Sequence, residues 1–80
     1  MTNLEKYDKI FVEVFEVSQD ELSDLEYQSI ETWDSVGHMT LIADIEEVFN
    51  ITMEMDDIID LSSYGKGKKI LMNHYNIDFY

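Results

Sequence analysis

The stretch Trp33-Asp34-Ser35-Val36-Gly37-His38-Met39-Thr40-Leu41-Ile42-Ala43-Asp44-Ile45-Glu46-Glu47-Val48-Phe49-Asn50 decides the reading of this 80-residue chain. Asp34 is a natural N-cap, because its carboxylate can accept hydrogen bonds from the amides of Val36 or Gly37. A helix is expected from there to about Phe49, ended by Asn50. With residues about 100° apart on a helical wheel, Leu41, Ile42, Ile45, Val48 and Phe49 share one arc, which is expected to face the core. Val36, Met39 and Ala43 lie on the other side with Ser35, and Asp44, Glu46 and Glu47 border them. His38 falls on the core-facing arc of the first turn, where it is expected to pack on Trp33 in the manner of a hydrophobic staple.

Working outward from this helix, apolar side chains recur at spacings of three and four, and Pro is absent, so the expected fold class is all-α. Thr2 with Glu5 fits a capping box for a first helix over about residues 3 to 17. Its core arc is Leu4, Tyr7, Ile10, Phe11, Val14, Phe15 and Val17. Ser18 to Trp33 reads as a long ordered loop pinned by Leu22, Leu25, Tyr27 and Ile30. Asp56 and Asp57 precede Ile58, Ile59 and Leu61, enough for a short third helix, and Ser62 and Ser63 offer caps for a last helix ending near Tyr75. The expectation is a four-helix bundle with one short helix, residues 1 to 80 forming a single domain. Met53, Met55, Met72 and the remaining aromatic residues are expected to supply a deformable core.

Composition excludes whole classes of function. Eighteen acidic residues against five basic ones give a net charge of -13, which repels phosphate backbones and anionic lipid, so neither nucleic acid nor membrane is an expected partner. The absence of Cys rules out disulfides, thiolate metal sites and a Cys nucleophile. With no signal-peptide core and no apolar run approaching the roughly 20 residues of a membrane span, a cytoplasmic monomer is expected. Asp56, Asp57 and Asp60 lack the ligand alternation, central Gly and final Glu of a calcium loop, and are expected to cap and solvate the third helix; no metal site is expected. The Lys66, Lys68 and Lys69 cluster reads as a solvated face. His74 is expected to pack or cap within the last helix. Asp34, Ser35 and His38 lie within one helical turn, with no second His or oxyanion-hole segment, so they do not read as a hydrolytic triad.

Ser35 would open the second helix at its first position, with the hydroxyl at the mouth of a helix whose free amides and dipole favour an anion. Taken alone, Asp-Ser before an apolar helix is an ordinary cap. However, Trp33 to Met39, followed by Leu41-Ile42 and Ile45-Glu46-Glu47-Val48-Phe49-Asn50-Ile51, resembles the acyl carrier protein family, in which the serine of an Asp-Ser-Leu motif takes a phosphopantetheine arm. The resemblance extends to chain length, acidity, the long first loop, the Asp56-Asp57-Ile58 opening of the short helix and the closing helix.

It implies that Ser35 is the attachment point for 4'-phosphopantetheine, donated by coenzyme A through a phosphopantetheinyl transferase, with Asp34 completing the motif as cap. Acyl groups would then ride as thioesters between acyl-loading and acyl-transferring enzymes, and the chain itself would not be an enzyme. Val36, Met39, Ala43, Asp44, Glu46 and Glu47 would form the partner surface, an apolar strip rimmed by carboxylates. Val36 stands where the family usually has Leu, and Gly37 and Thr40 stand where acidic residues are common. These changes, with the Trp33 and Gly37-His38 flanks, fit a specialised carrier of one dedicated pathway better than the housekeeping carrier of fatty acid synthesis. An aminoacyl or peptidyl carrier is the second reading, although the glycine-rich lead-in usual there is replaced by Thr32-Trp33. The alternative from another class is an acidic interaction module in which Ser35 is only a cap.

So much unbalanced charge on a small surface opposes folding at low ionic strength. Sodium chloride or magnesium is expected to raise the melting temperature from its low-salt value. An unchanged midpoint across a salt series would make self-repulsion a minor effect.

Overall fold

A computed structural model describes all 80 residues. Four α-helices, α1 (Asn3–Phe15), α2 (Ser35–Phe49), α3 (Met55–Asp60) and α4 (Tyr64–Tyr75), are joined by a 3-10 helix over Gln19–Asp24 after α1. The fold is all-α, and the only extended pairing is an isolated antiparallel bridge between Glu26 and Ser63. No helix is long and apolar enough to cross a membrane.

The capping box of α1 forms as its spacing predicts: Thr2 Oγ1 accepts from the Glu5 amide at 3.1 Å, and Glu5 Oε1 accepts from the Thr2 amide at 2.8 Å. The helix stops at Phe15, two residues before the expected end, because Glu16 turns into the left-handed region at φ 56°. The segment expected to be a loop throughout contains the 3-10 helix. Glu21 Oε1 accepts from both the amide and the hydroxyl of Ser18 at 3.0 Å. Leu22 and Leu25 are both buried, and side chains three residues apart eclipse on three residues per turn, so the tighter helix suits this pair.

One cluster of 17 buried side chains forms the core, and its centre is aromatic. Trp33 is stacked on Phe15 at 4.8 Å and met edge-on by Phe11 at 5.7 Å. Tyr7 is fully buried, yet its hydroxyl donates to the Tyr64 carbonyl at 2.7 Å, so a large ring is buried without an unpaired polar tip. Burial pushes the Tyr7 hydroxyl well above its ordinary pKa. The Tyr64 hydroxyl donates in turn to the Asp8 carboxylate, which stitches the start of α4 to α1.

Several expectations for the core are corrected. Val48 is 43% exposed, because it lies at the rim of the α2 arc beside the long side chains of Lys6, Lys9 and Glu13 on α1. Of the methionines read as core, Met53 is buried, whereas Met55 and Met72 are exposed. Their places are taken by Ile77 and Phe79 beyond α4, both buried. Asn76, left-handed at φ 57°, turns the chain back onto the core, and Phe79 meets Phe49 edge-on at 6.1 Å. Lys68 is not simply solvated: its ammonium lies 4.9 Å from the Tyr64 ring centroid and 5.7 Å from that of Tyr80. Ser63 caps α4 as expected, accepting from the Lys66 amide at 3.0 Å, while the Ser62 carbonyl accepts from the Tyr27 amide at 2.8 Å and anchors the loop.

Two glycines of α4 differ in what surrounds them. A β-carbon on Gly67 would lie 2.2 Å from the Tyr7 hydroxyl oxygen and 3.2 Å from Leu61, whereas one on Gly65 would meet nothing within 4 Å. Gly65→Ala is expected to stabilise the protein by several tenths to about 1 kcal/mol through helix propensity. Gly67→Ala should lose about 1–3 kcal/mol by displacing Tyr7 from its buried hydrogen bond. Urea unfolding of the two variants checks the opposite signs, and equal effects would contradict this packing.

Candidate functional site at the start of helix α2

Asp34 Oδ1 accepts from the Gly37 amide at 2.8 Å, and the Asp34 carbonyl accepts from the His38 amide at 2.8 Å. The amides of Ser35 and Val36, one step earlier, have no acceptor within the chain. They are the free donors every helix start leaves. Ser35 is the first residue of α2 and is exposed, so its hydroxyl stands beside two unpaired N–H groups. Gly37 brings the preceding loop close. Its ideal β-carbon would fall 2.0 Å from the Thr32 carbonyl oxygen, so only glycine lets the loop pass so near the first turn. Gly37, which stands where acidic residues are common in the family, therefore faces the loop and packs against it.

His38 does more than pack. Its ring lies nearly parallel to that of Trp33, 6.2 Å away at 14°. Its Nδ1 accepts from Trp33 Nε1 at 3.0 Å, and its Nε2 lies 2.7 Å from the Ile58 carbonyl oxygen. An indole nitrogen only donates and a carbonyl only accepts, so the ring proton sits on Nε2, which donates to Ile58. The contact with Trp33 was legible in the sequence; the bond to Ile58 was not, because it joins α2 to a helix twenty residues away. It matters for α3, whose six residues are too few to satisfy their own last carbonyls.

Between the start of α2 and α3 lies an apolar cleft of about 370 Å³, lined by Tyr27, Ser35, His38, Met39, Met55, Ile58, Ile59, Leu61 and Ser62. Met39, Met55 and Ile59 are all more than half exposed. Nothing in the one-dimensional pattern brings Met55 and Ile59 to Ser35; they do so only through the α2–α3 turn and the Ile58 bond.

The remaining residues assigned to the partner strip separate. Val36, Ala43 and Glu47 are exposed and Asp44 is half-buried. Glu46 is half-buried, and its Oε2 accepts from the Met53 amide at 2.9 Å, holding the turn after α2, so it is not a free rim charge. Asp57, expected to solvate α3, turns inward and is buried. It accepts from the Tyr75 hydroxyl at 2.7 Å and from His74 Nδ1 at 2.9 Å, and the Tyr75 hydroxyl accepts from the Glu54 amide at 2.8 Å. This cluster fixes the outer side of α3 to α4. No group of three or more His, Asp or Glu side chains is arranged to hold a metal ion.

Compared with protein-family models, curated proteins and solved structures, the chain matches none.

The hydrogen bond from Tyr75, with the lesser help of His74, holds the Asp57 carboxyl below its ordinary value of 3.8. Its contribution to stability is therefore complete above about pH 4 and is lost as pH falls through the lowered value. Asp57→Asn is expected to unfold more readily near neutral pH and to lose less stability than wild type between pH 4 and pH 2, measured by helical circular dichroism. Parallel acid profiles would remove Asp57 as a source of the acid sensitivity.

Proposed function

We propose that this chain is a carrier of the acyl-carrier type: a four-helix scaffold whose Ser35 takes a phosphopantetheine arm and whose work is to present an activated acyl group to other proteins. The observation that carries this reading is the meeting, at one exposed hydroxyl, of two free helix-start amides and an apolar cleft. The amides and the helix dipole suit a phosphodiester, each such charge being worth about 0.3–1 kcal/mol. The cleft suits an apolar group tethered beside it.

The residues around Ser35 fit the arm. Asp34 is occupied by the Gly37 amide, so the cap holds the first turn and leaves the Ser35 hydroxyl outward. Attachment is a substitution at phosphorus. The Ser35 hydroxyl oxygen attacks the pantetheine-side phosphorus of coenzyme A, and the bond from that phosphorus to the bridging oxygen breaks. The nucleotide bisphosphate leaves with that oxygen, and the serine proton passes to a base on the transferase. When bound, the arm supplies the thiol that this Cys-free chain lacks, and with it the capacity to form thioesters. Both ring nitrogens of His38 are engaged by Trp33 and Ile58, so His38 is not available to activate Ser35 for hydrolysis, in keeping with a carrier that leaves the chemistry to its partners. Val36, Met39, Ala43 and Glu47, exposed on the side of α2 near Ser35, are the proposed landing strip for those partners, with Glu47 steering basic surfaces. The location that suits this work is the cytoplasm.

Expression with a phosphopantetheinyl transferase and intact-protein mass spectrometry test the proposal. Wild type should gain the mass of one arm and Ser35→Ala none. An arm on Ser35→Ala, or no arm on wild type with several transferases, would sink the proposal.

A further inference from the structure

Resting on the carrier reading, we propose that His38 sets the depth to which an arm-borne acyl group can bury, closing the interior and holding the cargo in the surface cleft between α2 and α3. The cleft floor is not open core. Directly behind the His38 ring lies Trp33, fully buried, and behind Trp33 lie Phe15 and Phe11 in ring contact with it. An acyl chain entering from Ser35 meets the imidazole before it meets the indole.

Moving that imidazole aside breaks two hydrogen bonds together. One satisfies the Trp33 Nε1–H, the sole polar group of a fully buried ring; the other holds the Ile58 carbonyl at the end of α3. Each leaves a group that pays a desolvation penalty when unpaired. The outer wall resists as well, since Asp57 ties α3 to Tyr75 and His74 on α4. The way outward is different: Met39, Met55 and Ile59 are exposed, and the two unbranched methionines can fold over a chain lying along the cleft. The occupant is an apolar acyl group, because Ser35 itself lines the cleft and a tethered group reaches it without a separate binding step.

The test loads the arm on Ser35 from acyl-coenzyme A donors with a permissive transferase, using acetyl, butyryl, hexanoyl, octanoyl and dodecanoyl groups. In wild type the gain in melting temperature should rise with chain length and level off once the cleft is filled. A gain that keeps rising to the longest chain would overturn the inference on wild type alone. Trp33 is the only tryptophan, so octanoyl and dodecanoyl chains brominated at the last carbon report arrival at the interior by quenching its fluorescence. Quenching should be weak in wild type and strong in His38→Ala, where loss of the ring opens a path along the indole. His38→Gln keeps a donor for the Ile58 carbonyl and should behave like wild type, an outcome that a merely weakened fold does not produce. Equal quenching in wild type and His38→Ala would refute the role of His38 while leaving an arm on Ser35 visible by mass; no arm on wild type would end the carrier reading and this inference together.

Discussion

The site depends on one relay of two hydrogen bonds, from the Trp33 indole to His38 and from His38 to the Ile58 carbonyl. Trp33 is the largest fully buried side chain, and burying it is favourable only if its N–H finds an acceptor. His38 supplies that acceptor and turns its other nitrogen into a donor for α3. A helix of six residues has little stability of its own, so α3 keeps its place through such bonds, with His38 on its inner side and Asp57 on its outer side. The cleft beside Ser35 exists because α3 is held there.

The aromatic core has a similar logic. Tyr7, Phe11, Phe15 and Trp33 fill the space that a chain this short must close to be stable, and their polar tips are paired with backbone or side chain. No buried side-chain nitrogen or oxygen lacks a partner. The acidic surface is left to solvent: no lysine lies within salt-bridge distance of a carboxylate, and the one contact of that kind is the hydrogen bond between His74 and Asp57. Charge on this molecule therefore faces solvent and contributes little to internal cohesion.

The helical elements were legible because their signals are local. Thr2 with Glu5, Asp34 before Gly37, and Ser63 before Lys66 each lie within one turn of the amides they cap, and the apolar arcs of α1 and most of α2 follow from spacing alone. What the sequence concealed is non-local. Asp57 looked like one more solvated carboxylate because Tyr75 lies on another helix. Val48 shared the core arc yet sits at its rim, because wheel angle does not record where the neighbouring helix ends. Ile77 and Phe79 carry no periodic signal beyond α4, and Asn76 turns them inward. Ser35 and its cap were readable from the motif, whereas the cleft next to them was not, since its walls come from three separate segments.

Site and proposed function share one structural claim: His38 joins the two walls of the cleft with its proton on Nε2 and its Nδ1 turned to Trp33. Nitrogen-15 NMR of the histidine rings, recorded at mildly alkaline pH so that charge on the ring is not in question, reads that arrangement directly. The account predicts a single Nε2–H tautomer for His38, its Nδ1 resonance that of an unprotonated acceptor. An Nδ1–H tautomer, or the averaged shifts of a ring exchanging freely between the two, would contradict it.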